Sequence, residues 1–218
     1  MRNLFSPDAK WISALSIVAD YIFFNLIFLF TCIPVFTVGA AKTALYRVMF
    51  GMNRGDGSLY KRYFKTFVRE IPIAALMGLI KYAIFAALAY LVMLVYINPG
   101  IPLRNVELIA LLILVLVWSV VFSSLFVQIA LFRATVKQYL SNCAYIALTQ
   151  PIISLVVGVM DLIPIAVLLY DAGFMGATAP VWILFYFSVT TNLAARMWRR
   201  PFEEYIEKAA AENDAPEA

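Results

Sequence analysis

The chain has 218 residues, of which 64% are hydrophobic and 14% are charged, whereas soluble domains are about half apolar and about a quarter charged. So few polar residues cannot cover the surface of a soluble domain of this length, and lipid must be the solvent for much of the chain. The formal net charge of +4 is too small to indicate binding to nucleic acid.

Five apolar stretches are long enough to cross a bilayer, which takes about 20 helical residues. They predict an all-α polytopic membrane protein with a single transmembrane domain over residues 1–200 and a cytoplasmic tail over 201–218. The first stretch is expected to remain as an anchor, because it is longer than a signal peptide's apolar core and contains Asp20 and Asn25. The predicted spans are residues 11–33, 71–96, 106–132, 145–170 and 177–195.

The basic residues assign the two sides of the membrane. Thirteen of the 17 lie in the first loop, in the third loop or after the last span, three lie in the alternate segments, and Lys81 lies inside a span. By the positive-inside rule the N-terminus is predicted outside and the C-terminus in the cytoplasm. The two predicted outer loops, 97–105 and 171–176, are too short to hold an outer domain.

The first loop, residues 34–70, is predicted to form two amphipathic helices on the cytoplasmic side, because its apolar residues recur with helical period in two runs. An aromatic apolar face opposite a basic face suits a helix in the headgroup plane of anionic lipid. A docking surface for another protein is the alternative, and the two are compatible. The basic residues of this loop are Lys42, Arg47, Arg54, Lys61, Arg62, Lys65 and Arg69.

The first loop begins with a predicted structural elbow. Pro34 is expected to end the first span, Thr37 to cap the helix that follows, and Gly39 to let the backbone turn into that helix. A bulky residue at Gly39 is therefore expected to misplace the basic loop.

Three charged residues lie well inside predicted spans, where charges are costly and mark functional candidates. A structural ion pair between Lys81 and either Asp161 or Asp20 is one hypothesis. A proton-exchanging carboxyl is the second, because two acids would then face one base. Snorkelling of Lys81 toward the cytoplasmic surface is the third. The full set of polar candidates is Asp20, Asn25, Lys81, Gln128, Asp161 and Asn192.

Small residues at four-residue spacing predict places where helices pack closely, within one chain in preference to a dimer seam. Pro151 and Pro164 are expected to kink the fourth span. The small-residue pairs are Ala74 and Gly78, Ser119 and Ser123, and Ser154 and Gly158.

The residues that usually carry chemistry are scarce. The sequence has no histidine and no Walker motif, and its two cysteines, Cys32 and Cys143, form neither a redox nor a metal-ligand pattern. Both are expected to be reduced thiols near the cytoplasmic side. The sequence therefore predicts a protein that is not an enzyme, with no metal site and no cofactor.

One segment carries a family resemblance. The run from Cys32 to Tyr46, CIPVFTVGAAKTALY, together with Asn25-Leu26, Arg54-Gly55 and Phe64-Lys-Thr-Phe67, resembles the YesL-like family of small bacterial membrane proteins, catalogued as domain of unknown function 624. Members are typically encoded beside sugar importers of the ATP-binding-cassette type. The resemblance implies an association with carbohydrate uptake in a bacterial cell membrane, and it implies no catalytic residues.

Two functions remain as expectations. The first is a non-enzymatic accessory or assembly factor for carbohydrate uptake, which contacts anionic inner-leaflet lipid or subunits of the transporter through the first loop. The alternative is a small solute transporter with a proton- or ion-linked pathway through Asp20, Lys81 and Asp161, and possible self-association.

Overall fold

The computed structural model describes residues 7–55, 58–98, 100, 102–170, 172–204 and 206–207. Every regular element in these residues is helical, which confirms the all-α class. In chain order the first helices are α1 (Pro7–Thr31), α2 (Val38–Arg54), α3 (Leu59–Ile97), α4 (Arg104–Val121), α5 (Leu125–Leu131), α6 (Val136–Thr149) and α7 (Pro151–Tyr170). They are followed by α8 (Ala172–Ala177), α9 (Ala179–Val181), a π-helical segment (Trp182–Tyr186) and α10 (Phe187–Trp198).

Two helices in the described residues are long and apolar enough to cross a membrane: α3, and α4 continued through a 3-10 turn into α5, Arg104–Leu131. The bent pair of α6 and α7 makes a third if it counts as one span. Among the residues whose side chains are described, α1 contributes the apolar helix Leu15–Thr31, which is shorter than 18 residues. The predicted count of about five spans is therefore not confirmed.

The apolar side chains of these helices face outward as well as inward. Leu79, Ile80 and Leu91 of α3 and Ile109 and Ile113 of α4 are exposed. An outer surface so rich in large apolar residues is compatible with a membrane protein, because water would not solvate it.

The predicted second amphipathic helix and the predicted second span are one helix. α3 runs for 39 residues through Pro72 without a break. Proline removes one backbone N–H from the helix, but α3 packs against α2 and α4 and continues past it. Its first three turns, residues 59–71, expose Tyr60, Phe64 and Val68, as expected for an interfacial segment.

The predicted fourth span is broken. α6 and α7 meet at an angle of 112°, with Gln150 between them and Pro151 starting α7. α6 begins earlier than predicted, at a capping box in which Thr135 and Gln138 satisfy each other's backbone N–H groups. The expected kink at Pro151 is thus a sharp bend between two helices.

The largest departure from expectation concerns α2. It was predicted to lie in the headgroup plane, but the residues from Gly39 to Gly51 are all buried. α2 packs most extensively against α3 and also against α5 and α10. The predicted interfacial helix is therefore the central helix of the bundle, and the prediction that all seven basic residues of the first loop face lipid or a partner is wrong for Lys42 and Arg47.

The elbow before α2 has a different physical basis from the predicted one. The Thr37 hydroxyl donates back to the carbonyls of Thr31 and Pro34, each at 2.6 Å, and makes no cap for α2. Gly39 is inside α2, and a Cβ there would lie 2.0 Å from the carbonyl oxygen of Ala74 and 3.1 Å from the Cα of Gly78. Gly39 is therefore needed for close helix packing and not for a turn.

The predicted small-residue contacts lie within the chain. Gly78 faces Gly39 across α2 and α3. Gly158 lies against the backbone of Ser119 and Val120, and the Ser119 hydroxyl donates to the Gly158 carbonyl at 2.8 Å. These contacts bring α4 and α7 together and fix two sides of the candidate site.

Candidate functional site

Three charged side chains from three helices meet inside the bundle. Asp161 of α7 lies between Lys42 of α2 and Lys81 of α3. Its Oδ1 is 3.5 Å from the Lys42 Nζ, and its Oδ2 accepts a hydrogen bond from the Lys81 Nζ at 3.2 Å. The predicted pair of Lys81 with Asp161 is present, and Lys42 joins it. These residues are called the Lys–Asp–Lys cluster below.

Lys81 is held at a break in the neighbouring helix. Its Nζ donates to the carbonyl of Phe122 at 3.2 Å, where the 3-10 turn Phe122–Ser124 interrupts the passage from α4 to α5. The ammonium also lies 5.1 Å from the centre of the Phe126 ring, a distance at which the ring face attracts a cation. The Lys81 ammonium is therefore fixed in the interior and does not snorkel to the surface.

The charge balance differs from the second hypothesis, in which two acids would face one base: here two lysines face one carboxylate. Of the two acids offered as partners of Lys81, Asp161 is the one in the cluster, and Asp20 is not among the residues that line the cavity. Lys42, which was predicted on the lipid-facing surface, is the additional member. The cluster carries one formal positive charge in excess.

A cavity of about 270 Å³ adjoins the Lys–Asp–Lys cluster. Its walls come from α1, α2, α3, α4, α7, α10 and the π-helical segment. Most of the wall is apolar and aromatic, and the polar side chains of Ser119, Tyr186 and Thr190 interrupt it. An apolar cavity with a few convergent polar groups is the usual form of a small-molecule site.

Irregular backbone surrounds this cavity on two further sides. Pro164 in α7 has no N–H to donate to the carbonyl of Met160, and the Tyr186 hydroxyl donates to that carbonyl instead, at 2.7 Å. Tyr186 ends the π-helical segment. Two helix irregularities therefore line the cavity, and the 3-10 turn lies behind Lys81 without lining it. π-Helical segments are often found at functional sites.

Asn25 holds the π-helical segment in place. Its Nδ2 donates to the carbonyls of Trp182 and Ile183 at 3.0 and 2.6 Å. Its Oδ1 accepts the backbone N–H of Ser188 at 2.9 Å. A buried amide whose groups are paired in this way has a structural role, because it satisfies carbonyls that a regular helix would satisfy internally.

The other neutral candidates also contact protein groups. The Asn192 side chain bonds to the Tyr21 hydroxyl, and its Oδ1 accepts from the Asn53 Nδ2 at 2.8 Å. The Gln128 Nε2 donates to Ser124 and to the thiol of Cys143, at 3.0 and 3.3 Å, while its Oε1 has no partner among the described residues. Neither residue lines the cavity.

The basic residues of the first loop differ in how far they are buried and in what they contact. Arg47 is 3% exposed, and its Nη1 donates to the carbonyl of Ala130 at 2.7 Å, near the end of α5. Arg54 donates to the carbonyl of Ile206 at 3.3 Å, Arg62 covers Gly51, and Arg69 bonds to Glu70 at 2.6 Å. Lys61 and Lys65 are exposed.

Sequence patterns located two of the three charges in the cluster and missed the third. The helical period placed Lys42 opposite the apolar stripe of its helix, but that face is buried as well, and Lys42 reaches Asp161 of α7 there. The missed signal is the size of the residues around Lys42: Gly39, Ala40, Ala41 and Ala44 are small enough for neighbouring helices to approach on every side. Tyr186 carried no sequence signal that distinguished it from other span aromatics.

The comparisons with known proteins bear on two of the three residues of the Lys–Asp–Lys cluster. The model of the family described as Protein of unknown function, DUF624, matches residues 21–91, which include Lys42 and Lys81 and exclude Asp161. No curated protein and no solved structure matches the chain. The family resemblance carried by the sequence motifs is thereby confirmed: residues 21–91 match the model of DUF624, a family of unknown function.

Proposed function

We propose that this chain is a multi-pass protein of the bacterial cell membrane that binds a small solute between its helices and moves it across the bilayer. The observation that supports this proposal most strongly is the Lys–Asp–Lys cluster at the wall of the 270 Å³ cavity. Charges within spans are retained mainly where they serve a pathway or a ligand. The geometry thus favours the transporter hypothesis over a purely accessory role.

The backbone around the cavity supports this proposal. Solute sites in transporters commonly lie where helices are interrupted, because freed backbone groups and helix ends then face the solute. Here Pro164 and Tyr186, the last residue of the π-helical segment, line the cavity, and the helix interruption at Phe122 lies behind Lys81, whose ammonium donates to the Phe122 carbonyl. Such a helix has fewer internal hydrogen bonds to break when it moves, which suits opening and closing.

Two observations support placing the first loop, the third loop and the segment after α10 on one side of the membrane, which by the positive-inside rule is the cytoplasmic side. Arg54 of the first loop bonds to Ile206 after α10, and Arg69 and Arg133 line one small cavity of about 110 Å³. The basic segments assigned to the cytoplasm therefore lie close to one another, as a common membrane side requires.

Uptake into proteoliposomes tests the proposal. Thr190 lines the cavity, and its hydroxyl donates to the carbonyl of Tyr186, four residues earlier, at 2.7 Å. Thr149 makes the same type of bond to Tyr145, at 3.0 Å, on the exposed surface of α6. We expect the wild type and Thr149→Phe to accumulate one class among sugars, amino acids and monocarboxylates, and Thr190→Phe to lose that uptake because the ring fills the cavity. Equal uptake by both variants would contradict the proposal.

An accessory role in carbohydrate uptake is the second candidate. Its support is the outer face of α3, where Tyr60 and Phe64 are exposed beside Lys61 and Lys65, a combination suited to anionic lipid or a protein partner. Purification in mild detergent tests it. Stoichiometric recovery of carbohydrate permease subunits with the wild type, reduced by Tyr60→Ser and Phe64→Ser together, would favour this role, and recovery of the chain alone would argue against it.

A further inference from the structure

We infer that the solute of this cavity is a small organic monocarboxylate, bound by Lys42 and Lys81 with Asp161 as an internal competitor. The inference rests on the proposed solute-binding function and specifies its ligand class. It follows from the charge, the hydrogen-bond donors and the lining of the cavity.

The formal charge of the cluster indicates an anion. Two ammonium groups share one carboxylate, and the lysine side chains are only 9% and 5% exposed. A charge removed from water is costly unless a partner compensates it. A bound monoanion would bring the cluster to neutrality, whereas a neutral solute would leave the excess charge and a cation would increase it.

The geometry of Asp161 shows that the two ammonium groups can share a carboxylate. Each oxygen of Asp161 faces a different lysine, at 3.5 and 3.2 Å. The Asp161 side chain is 23% exposed, more than either lysine, so it lies on the more open side of the cluster. An entering carboxylate therefore competes with Asp161 for the same cations.

Lys42 retains the donors that such a ligand needs. Lys81 divides its N–H groups between Asp161 and the Phe122 carbonyl. Within the described part of the chain, Lys42 has Asp161 as its charged partner and otherwise lies 5.7 Å from the Tyr46 ring centre. Two of its three N–H groups thus have no oxygen acceptor in these contacts. Lys42 is expected to supply most of the affinity for an added carboxylate.

The part of the cavity wall outside the Lys–Asp–Lys cluster indicates the chemistry of the ligand beyond its carboxylate. Phe28, Phe85, Trp118 and Phe187 contribute aromatic rings, which favour an apolar group over a polyhydroxylated one because few hydrogen-bond partners are offered. A compact carboxylic acid and the carboxyl end of a fatty acid share this chemistry. A probe set that contains benzoate and decanoate distinguishes a soluble source from a membrane source.

The experiment measures the apparent melting temperature of the detergent-purified full chain with added probes. Benzoate is compared with benzamide, its neutral counterpart, and with benzylammonium, a cation of similar size. We expect benzoate to raise the melting temperature in a saturable manner, with little effect from the other two. A shift with decanoate and none with benzoate would overturn the assignment to a compact solute.

Two cavity variants and one surface variant test the residues. Lys42→Met is expected to weaken benzoate binding roughly tenfold or more, since it removes a charge-assisted hydrogen bond and the excess charge. Asp161→Asn is expected to strengthen it, because the competitor is gone. Lys61→Met removes an equal charge from an exposed site on α3 and should leave binding unchanged. Equal weakening by Lys42→Met and Lys61→Met would overturn the inference.

The outcomes separate this inference from the proposed function. Stabilisation by benzamide or benzylammonium equal to that by benzoate would overturn the monocarboxylate and leave a solute-binding cavity standing. No stabilisation by any of the four probes, combined with no uptake in proteoliposomes, would overturn both. If Asp161→Asn fails to fold, the comparison of probes on the wild type and on Lys42→Met still decides the ligand class.

Discussion

α2 and the first three turns of α3 have the same sequence pattern and opposite environments. Both are amphipathic helices with a basic face and an apolar face, and both belong to the first loop. In α2 the residues from Gly39 to Gly51 are buried, whereas residues 59–71 of α3 expose Tyr60, Phe64 and Val68, with Phe64 at 48%. Hydrophobic periodicity predicts that a helix has an apolar face, but it does not predict what covers the polar face.

Side-chain volume and charge density explain the difference. α2 offers Gly39, Ala40, Ala41 and Ala44 on its first turns, so α3 can approach its backbone closely. Its two buried basic residues each reach a specific partner, Asp161 for Lys42 and the Ala130 carbonyl for Arg47. The start of α3 has large aromatic residues and five charged side chains within residues 61–70, more than a packed interior can neutralise.

Gly39→Ala is the strongest test of the central position of α2. Its Cβ would lie 2.0 Å from a backbone oxygen, that of Ala74, which cannot rotate away. We expect a loss of at least about 3 kcal/mol in stability, seen as a large fall in melting temperature and in the yield of monodisperse protein. Gly176→Ala in α8 is the control, because no atom lies within 4 Å of its added Cβ. Equal stability of the two variants would refute the close packing of α2 on α3.

Asp161→Asn tests whether the Lys42 ammonium of α2 is neutralised by Asp161 inside the bundle. The substitution leaves the Lys42 and Lys81 ammonium groups without a carboxylate, and breaking a buried ion pair costs about 3 kcal/mol. The exposed residue Glu203 provides the control, Glu203→Gln. The melting temperature should fall only for Asp161→Asn, and adding Lys42→Met should recover part of the loss. No recovery in this double-mutant cycle would count against the coupling of α2 to α7.

Arg47→Met tests the second internal partner of α2. It leaves the Ala130 carbonyl without its charged donor, which is expected to cost roughly 2 kcal/mol. The matched change in the exposed segment is Lys61→Met. The melting temperatures of the two variants measure the difference directly, and a larger loss for Lys61→Met would reverse the assignment of buried and exposed helices.

Cysteine labelling provides the test with the smallest effect on stability. In a background with Cys32 and Cys143 replaced by Ala, Lys61→Cys is expected to change stability by less than about 0.5 kcal/mol and to react with a membrane-impermeant maleimide. Val48→Cys in α2 should not react, because Val48 is fully buried. Reaction of Lys61→Cys in inside-out vesicles only would support a cytoplasmic first loop, and reaction in right-side-out vesicles only would reverse the topology.

The presence of the helices could be predicted from the local sequence pattern, but their boundaries could not. Apolar runs long enough for α3 and for α4 with α5 were predicted close to their observed positions. A kink at Pro151 was predicted, but not the size of the bend, 112°, since an apolar run looks alike whether it bends slightly or sharply. The continuity of α3 through Pro72 was missed for a related reason: the packing that lets a helix pass a proline comes from other parts of the chain.

The candidate site, like the fold, could be predicted only in part from the sequence. Lys81 and Asp161 were predicted to pair because isolated charges in apolar spans require partners. Lys42 was missed, and the choice between Asp161 and Asp20 as the partner of Lys81 stayed open, because the choice of partner depends on which helices are adjacent. The same holds for Tyr186, whose hydroxyl meets the carbonyl that Pro164 leaves free.

The sequence by itself determined that this chain is helical, apolar and provided with a few interior charges, because composition and periodicity fix how much of a helix must avoid water. The tertiary structure decided that α2 is central, that two lysines share one carboxylate and that two helix irregularities, at Pro164 and Tyr186, line one cavity. These features depend on distances between residues far apart in the chain, such as Lys42 and Asp161, and no local pattern encodes such distances.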